Sequence, residues 1–329
     1  MDMTASTPAS NSAGQTTAAK QRVLYIGGLG RSGSTLIEKL LNELPQMFAV
    51  GETVHLWERG VRDNERCGCG ELFRSCEHWT AVGKEAFGGW DNEDLEHNID
   101  LRWSVDRTRR MPAIARIHRG GSLAPEQSEY IERIRAVMLA SARVANQPEV
   151  LLESSKHLST AALMALDDQL DVRVLHLLRD PRGVAYSWTK RVERPEAGNE
   201  LMPIYHPART AGRWLSDNFG FEALARLGVP TLTMRYEDFL VRPAASLRAI
   251  TDLMGIEPGD DDWSFLDGMD AKLQTPMHSI AGNPLRFGGE QITLRLDDAW
   301  RSKLDRTSQL EVTAITVPGL ARYRYPIKP

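Results

Sequence analysis

The chain has 329 residues, of which 42% are hydrophobic and 26% charged, and its 40 Lys and Arg against 44 Asp and Glu give a formal charge of −4. That composition excludes a collagen-like or wholly disordered chain, and the slight acidic excess gives no reason to expect a nucleic-acid partner, whose phosphates call for surplus Lys and Arg. No apolar run reaches the roughly 18 residues of a membrane span, and 3 Cys are too few for a disulfide-stapled secreted scaffold. Residues 1–20 are rich in Thr, Ser and Ala and lack the basic start and apolar segment of a signal peptide. They are expected to form a disordered tail on a cytoplasmic protein, leaving 21–329 as one domain. Arg22 to Gly28 reads as a buried strand, because a short β-branched and aromatic run ends in glycines. Ser34 to Leu44 has helical apolar spacing and stops before Pro45, Phe48 to Val50 is a second strand, and Val54 to Val61 is a further helix. Residues 64–125 are Gly-, Arg- and Trp-rich with weak periodicity, which predicts an insertion of short helices and loops. Beyond it the pattern predicts a helix over 127–146, a strand over 149–152, a helix over 159–170 and a strand over 172–178. Helices over 181–191 and 206–227, a strand over 231–235, a helix over 243–254 and a loop-rich C-terminal part complete it. Strands alternating with helices argue an α/β fold, an open parallel β-sheet covered on both faces.

The most specific motif is Gly28-Leu29-Gly30-Arg31-Ser32-Gly33-Ser34-Thr35, between a strand and a helix. Glycines there let backbone N–H groups and the helix N-terminus converge on an anion. The spacing is that of a P-loop, but Ser34 stands where the P-loop Lys belongs, and Arg31 supplies the positive charge. A kinase or NTPase combines that Lys with Mg²⁺ to neutralise a transferring phosphoryl group. A sulfuryl group carries less negative charge, so this loop suits a phosphosulfate better than a triphosphate. The bland alternative is a Gly-rich turn without a ligand.

With that loop the sequence resembles the sulfotransferases that use 3′-phosphoadenosine 5′-phosphosulfate (PAPS). Gly27 to Leu41, GGLGRSGSTLIEKLL, is similar to their 5′-phosphosulfate loop, in the form carried by tyrosylprotein, Golgi and bacterial members. Leu177 to Ser187, LLRDPRGVAYS, resembles the 3′-phosphate motif, Arg235 to Asp238 the RYED of a late core strand, and Gly282 to Phe287 the loop that closes over the 3′-phosphate. The resemblance spans Arg22 to about Trp300 and implies a P-loop-type sheet, PAPS as donor, 3′,5′-bisphosphate (PAP) as product, and no required metal. Arg31, Ser32, Gly33, Ser34 and Thr35 would hold the 5′-phosphate side of the donor, and Arg179 and Ser187 the 3′-phosphate. Ser279, Asn283 and Arg286 are further candidates for the donor phosphates. Asp180 and Arg182 are read as residues that orient the turn after the strand. On the residues alone, Arg179 paired with a surface carboxylate and Ser187 exposed is an equal alternative.

A hydroxyl acceptor needs a base within hydrogen-bond reach. Gly51-Glu52-Thr53 follows the second strand at the carboxyl edge of the sheet, and tyrosylprotein sulfotransferases carry a catalytic Glu in a similar segment. Glu52 is therefore the first candidate base and His55 the second, and an N-cap role for Glu52 is the bland alternative. Lys156 resembles the family Lys that contacts the leaving phosphate, a role that would stabilise charge on the bridging oxygen. Glu153 is the carboxylate a Mg²⁺-dependent reading would need.

Cys67, Cys69, Cys76 and His78 form CxCx₆CxH, a set able to bind structural zinc. Structural thiols or a local redox pair are preferred, because the ligands are crowded into one segment and similar bacterial sulfotransferases often carry an apolar residue at the place of His78. No metal site is therefore expected. Trp57, Trp79, Trp90 and Trp103 could line an acceptor pocket but are read first as the core of the insertion. The reading reached is a PAPS-dependent sulfotransferase acting on a small-molecule, carbohydrate or lipid hydroxyl, or on an amine. A P-loop kinase or NTPase and a non-catalytic nucleotide-binding module are the alternatives.

Overall fold

The computed structural model describes residues 19–198, 200–288 and 290–328, so the expected N-terminal tail lies almost wholly outside the described residues. Five parallel strands form the central sheet: β1 (Gln21–Gly27), β2 (Met47–Gly51), β3 (Val150–Lys156), β4 (Leu170–Leu178) and β5 (Thr231–Arg235), in the order β2-β3-β1-β4-β5. Side chains alternate across the central strand. Val23 and Tyr25 enter one apolar cluster, while Leu24 and Ile26 enter the other. A strand buried on both faces needs this near-continuous apolar run. The first cluster gathers α5 (Pro125–Val144), α6 (Leu158–Met164), α8 (Pro207–Arg226) and the insertion. The second gathers α1 (Ser34–Leu41), α9 (Tyr236–Val241) and α10 (Pro243–Met254). All five strands direct their carboxyl ends to one edge, where the loops after β1, β2, β3 and β4 meet.

The insertion folds as α2 (Glu77–Phe87), α3 (Leu95–Val105) and α4 (Met111–His118) with short turns between them. Trp57, Trp79 and Trp90 are buried in its core with Phe73. Trp103 alone of the four is exposed, with the guanidinium groups of Arg102 and Arg107 over its ring.

Several boundaries differ from the sequence reading. The helix expected over 159–170 ends at Met164, because Asp167 accepts the Gln169 N–H at 2.8 Å in a turn and Leu170 already pairs with Gln21 in the sheet. β3 runs on to Lys156, since Glu153, Ser154 and Ser155 find internal hydrogen-bond partners and are buried despite being polar. The helix expected over 54–61 is a 3₁₀ turn (Thr53–His55) followed by a π-helical stretch (Leu56–Arg62). The C-terminal part is not loop-rich throughout. Small strands at 266–267, 270–272 and 291–293 form an antiparallel sheet, and α11 (Arg306–Arg322) packs on α8 and α7 (Pro181–Thr189). Its Thr and Val content and Pro318 hide it from a propensity reading. Packing overrides propensity there: Val312, Thr316 and Leu320 are fully buried, and the Thr313 and Thr316 hydroxyls bond the carbonyls four residues back. Among the described residues no helix is long and apolar enough to cross a membrane.

Candidate active site

The loop after β1 is shaped by glycines. Gly28 has φ +124°, and a side chain there would lie 2.3 Å from the Leu177 carbonyl oxygen. Gly33 has φ +97° at the N-cap of α1, and a Cβ would lie 2.3 Å from the Tyr236 ring. Gly33→Ala is expected to cost at least the roughly 1–2 kcal/mol of a left-handed non-glycine residue, measured as a lower denaturation midpoint. An unchanged midpoint would show that the loop is not this tight. No side chain caps α1, so its N-terminal amide groups are left to the loop, the arrangement an anion requires.

A cavity of about 550 Å³ opens at the carboxyl edge of the sheet, and Arg31, Gly33, Ser34, Thr35, Glu52, His55, Lys156, Arg179, Ser187 and Asn283 all line it. The structure thus brings together the phosphate loop, the Glu52 turn, the end of β3 and the start of α7. Arg31 and Lys156 both hold positive φ, at 75° and 65°. Non-glycine residues in this region are strained and cluster at functional sites. Arg31 lies over the Trp188 ring, its Nη2 reaches Met202 Sδ at 2.7 Å, and its buried Nε has no partner. Burial lowers its pKa and Glu52 opposes that shift.

Glu52 closes the other side. Its Oε1 accepts from Lys156 Nζ at 2.7 Å, and its Oε2 lies 3.7 Å from His55 Nε2. Burial alone would raise the Glu52 pKa, but the charge and hydrogen bond of Lys156, with Arg59 beyond, outweigh it and hold the carboxyl below its ordinary value. Burial pushes His55 down to about 3, so its imidazole is neutral at physiological pH. The turn carrying Glu52 hangs on Glu153. That buried carboxylate accepts from Thr53 N at 3.0 Å, Thr53 Oγ1 at 2.8 Å, Ser155 N at 3.0 Å and the Ser155 hydroxyl. Burial raises its pKa to about 7. Glu153 is a positioning residue with its acceptors engaged.

Arg179 spans two loops: Nη1 donates to the Arg31 carbonyl at 3.1 Å and Nη2 to the Asp297 carbonyl at 3.1 Å, with the guanidinium over the Tyr236 ring. The turn behind it is fixed as the sequence suggests. Asp180 accepts from Arg182 Nε at 2.9 Å and Nη2 at 2.6 Å, and Glu237 of the RYED segment accepts the Asp180 N–H at 2.8 Å.

Three proposed donor contacts lie off the cavity wall. Ser32 is buried and donates to the Leu29 carbonyl at 2.7 Å, so it shapes the loop. Ser279 is buried with an unpartnered hydroxyl. Arg286 is buried beside Glu196 (3.8 Å) and donates to the Arg66 carbonyl at 3.1 Å. A side chain at Gly282 would meet Glu52 Oε1 at 3.3 Å and Arg286 Nη1 at 3.6 Å, which puts Arg286 near Glu52 instead of on the wall with Arg179 and Ser187. Conversely, Arg59, His157, Trp188, Arg194, Arg213 and Asp217 line the cavity although sequence reasoning did not select them. Arg59 and Arg194 share a partly buried ion network with Glu65 and the buried Glu196, at 2.6–3.4 Å. The two links that close this network, Arg59 to Glu196 and Arg194 to Glu65, join positions more than a hundred residues apart and leave no local pattern. His157, next to Lys156, and Trp188, next to Ser187, could have been picked out by adjacency, and Trp188 Nε1 donates to the Gly30 carbonyl at 3.1 Å.

Known proteins fit this architecture. Mouse carbohydrate sulfotransferase 5 is 23% identical over 309 residues, covering 83% of this chain and 73% of that protein. Human carbohydrate sulfotransferase 6 is 22% identical over 325 residues, covering 88% and 78%. The fold is similar to the sulfotransferase domain of the Synechococcus PCC 7002 olefin synthase (TM-score 0.50, 20% identity, 92% of this chain and 95% of that one). It is also similar to the sulfotransferase domain from the curacin biosynthetic pathway (TM-score 0.52, 16% identity, 94% and 99%). The model of the sulfotransferase family matches residues 24–261, a stretch that includes the glycine loop, the Glu52 turn, Lys156 and the Arg179 turn. A match over most of the chain, on the segments that build the cavity, places this protein in the sulfotransferase family, as an enzyme that transfers sulfate.

Proposed function

We propose that the chain moves the sulfuryl group of PAPS to a hydroxyl or amine of a small-molecule acceptor, releasing PAP. The observation that carries this reading is the convergence of Arg31, Arg179 and Lys156 on one cavity whose glycine loop lacks the P-loop Lys. The chain's own groups suit such a donor. The buried Arg31 Nε lacks a partner, and the uncapped N-terminus of α1 favours an anion. When bound, PAPS supplies a sulfuryl group already activated by its phosphate leaving group. Gly33, Ser34 and Thr35 bind the 5′-phosphate through the α1 N-terminus, while Arg179 and Ser187 grip the 3′-phosphate from a strand end and a helix. Glu52 accepts the acceptor's proton. Lys156 Nζ and Arg31 offset the charge that develops on the bridging oxygen. No Mg²⁺ dependence is expected, because these cations take the part a metal plays in phosphoryl transfer. The names of the curated relatives make a sugar hydroxyl the first acceptor to try, ahead of lipid hydroxyls and amines.

The P-loop kinase reading would need a free carboxylate for Mg²⁺, and Glu153 is committed to Thr53 and Ser155. Melting temperature measured with PAP, and separately with Mg·ATP, tests the donor. Ligand at 100 times its dissociation constant stabilises by about 2.7 kcal/mol. The expected result is a shift with PAP alone, lost in Arg179→Ala. A shift with Mg·ATP alone would overturn the reading. Turnover of labelled PAPS against a panel of sugars, phenols and amines then separates an enzyme from a nucleotide-binding module.

A further inference from the structure

The three cysteines lie outside the chemistry above, yet they meet at one point. Cys67 and Cys76 are buried, Cys69 is half-buried, and none forms a disulfide. Cys76 Sγ lies 3.7 Å from both Cys67 Sγ and Cys69 Sγ. The fourth member is not His78 but His278, some two hundred residues later. Its Nδ1 is 3.2 Å from Cys76 Sγ and 4.0 Å from Cys67 Sγ, and all four ligand atoms lie within 4.8 Å of one another. A tetrahedral zinc with Zn–S near 2.3 Å and Zn–N near 2.05 Å has S···S edges of about 3.8 Å and S···N edges of about 3.6 Å. The two S···S separations of 3.7 Å sit on those edges, the S···N separations of 3.2 and 4.0 Å straddle theirs, and the other pairs lie within 4.8 Å. A disulfide would need about 2.05 Å, and an odd number of thiols would leave one over.

The backbone is built to present this set. Arg66 and Leu72 bridge as a hairpin, Cys67 N donates to the Glu71 carbonyl at 2.8 Å, and Gly70 turns the knuckle with φ +96°. Gly68 N donates to the Ser279 carbonyl at 3.0 Å, and a side chain at Gly68 would lie 2.6 Å from Ser279 Oγ and 2.7 Å from the Met277 carbonyl. Only glycine lets the knuckle approach so closely. Trp79 Nε1 donates to the His278 carbonyl at 2.7 Å, and Phe48 stacks on the His278 ring. His78 lies against the same rings, but its buried Nε2 has no partner and it is outside the four-atom set.

We infer that Cys67, Cys69, Cys76 and His278 bind one structural Zn²⁺ that fastens the insertion to the 277–280 strap. This puts His278 where the CxCx₆CxH spacing offered His78, and departs from the expectation of metal-free thiols. Four protein ligands leave no open position, so the ion is structural and takes no part in sulfuryl transfer. Its consequence is nonetheless local to the site. Ile280 bridges to Gly51, and its carbonyl accepts the Glu52 N–H at 2.9 Å, so the strap that carries His278 also holds the Glu52 turn.

Full-length protein prepared without a metal-binding tag or chelator, and reconstituted with Zn²⁺ under reducing conditions, tests this by elemental analysis after desalting. The expected result is about one zinc per chain, lost in Cys76→Ser and His278→Ala and kept in His78→Phe. If the losing variants fold poorly, the wild-type protein still decides the matter. Co²⁺ reconstitution should give tetrahedral visible bands with sulfur charge transfer, and a mercurial should release stoichiometric zinc. Wild-type protein that takes up no zinc with its thiols reduced, that contains a disulfide or iron instead, or that loses zinc in His78→Phe but not in His278→Ala overturns the assignment.

Discussion

Glu52→Gln is expected to lower kcat by about 10²–10⁴ while leaving the melting shift with PAP close to that of wild type. The carboxylate is the anionic group of the cavity that faces both Lys156 and His55, and it stands on a turn fixed at both ends. Gln keeps the shape and the link to the strap but cannot take a proton. A structural role predicts something different: loss of PAP binding and of stability together, with the acid behaviour unchanged. The pH profile sharpens the distinction. A base must be deprotonated, so activity falls as pH drops through the carboxyl pKa. In the free enzyme that pKa is below the ordinary value, because the charge and hydrogen bond of Lys156 help outweigh burial. The acid limb of kcat/KM for the donor should therefore lie below about pH 4.5, or below the acid stability limit of the protein. In kcat the limb should move upward, because Lys156 then shares its charge with the donor's phosphate. His55→Gln should cost far less, since its neutral imidazole neighbours the base without replacing it. If His55→Gln abolishes turnover and Glu52→Gln retains it, the assignment of the base is reversed.

The features legible in the sequence are those written in contiguous residues. The strand-loop-helix of Gly28 to Thr35 carries its own punctuation, and the alternation of apolar strands with helices follows from burial on two faces. The Glu52 turn could be placed because it follows a short strand, and Lys156 because it follows another, although β3 proved longer than the apolar run alone suggests. What stayed hidden depends on long-range satisfaction of polar groups. Glu38 and Lys39 are buried on α1, where Glu38 accepts from Ser154 Oγ at 2.9 Å and Lys39 Nζ holds the Leu285 and Gly288 carbonyls. Burial raises Glu38 to about 8, against the pull of Lys156 and Ser154. Periodicity would count both residues as solvent-facing. His278 illustrates the same limit. It completes the thiol cluster from beyond the core of the fold, while the neighbouring His78 has the better spacing and the wrong position. Spacing finds ligands on one segment and is blind to a strap that returns across the sheet edge.

Lys156→Met carries the second large effect, a fall in kcat of about 10²–10³, with the PAP-induced melting shift reduced less than in Arg179→Ala. Its ammonium is held in place from two sides, by Glu52 Oε1 and by the Ser154 carbonyl, at the point where β3 leaves the sheet with a left-handed residue. Such a strained, double-anchored cation is preorganised to meet charge that develops on a leaving oxygen, and its effect belongs to the transition state more than to ground-state binding. Removing it also acts on Glu52. With the nearest opposite charge gone, burial raises the carboxyl pKa, so the acid limb of donor kcat/KM should move toward neutral pH instead of merely losing height. The two residues form a unit, and Glu52→Gln combined with Lys156→Met should cost less than the product of the single losses. A solvated lysine predicts none of this: kcat within a few-fold of wild type, an unmoved acid limb and simple additivity with Glu52→Gln would remove Lys156 from the reaction and leave Arg31 as the group facing the bridging oxygen.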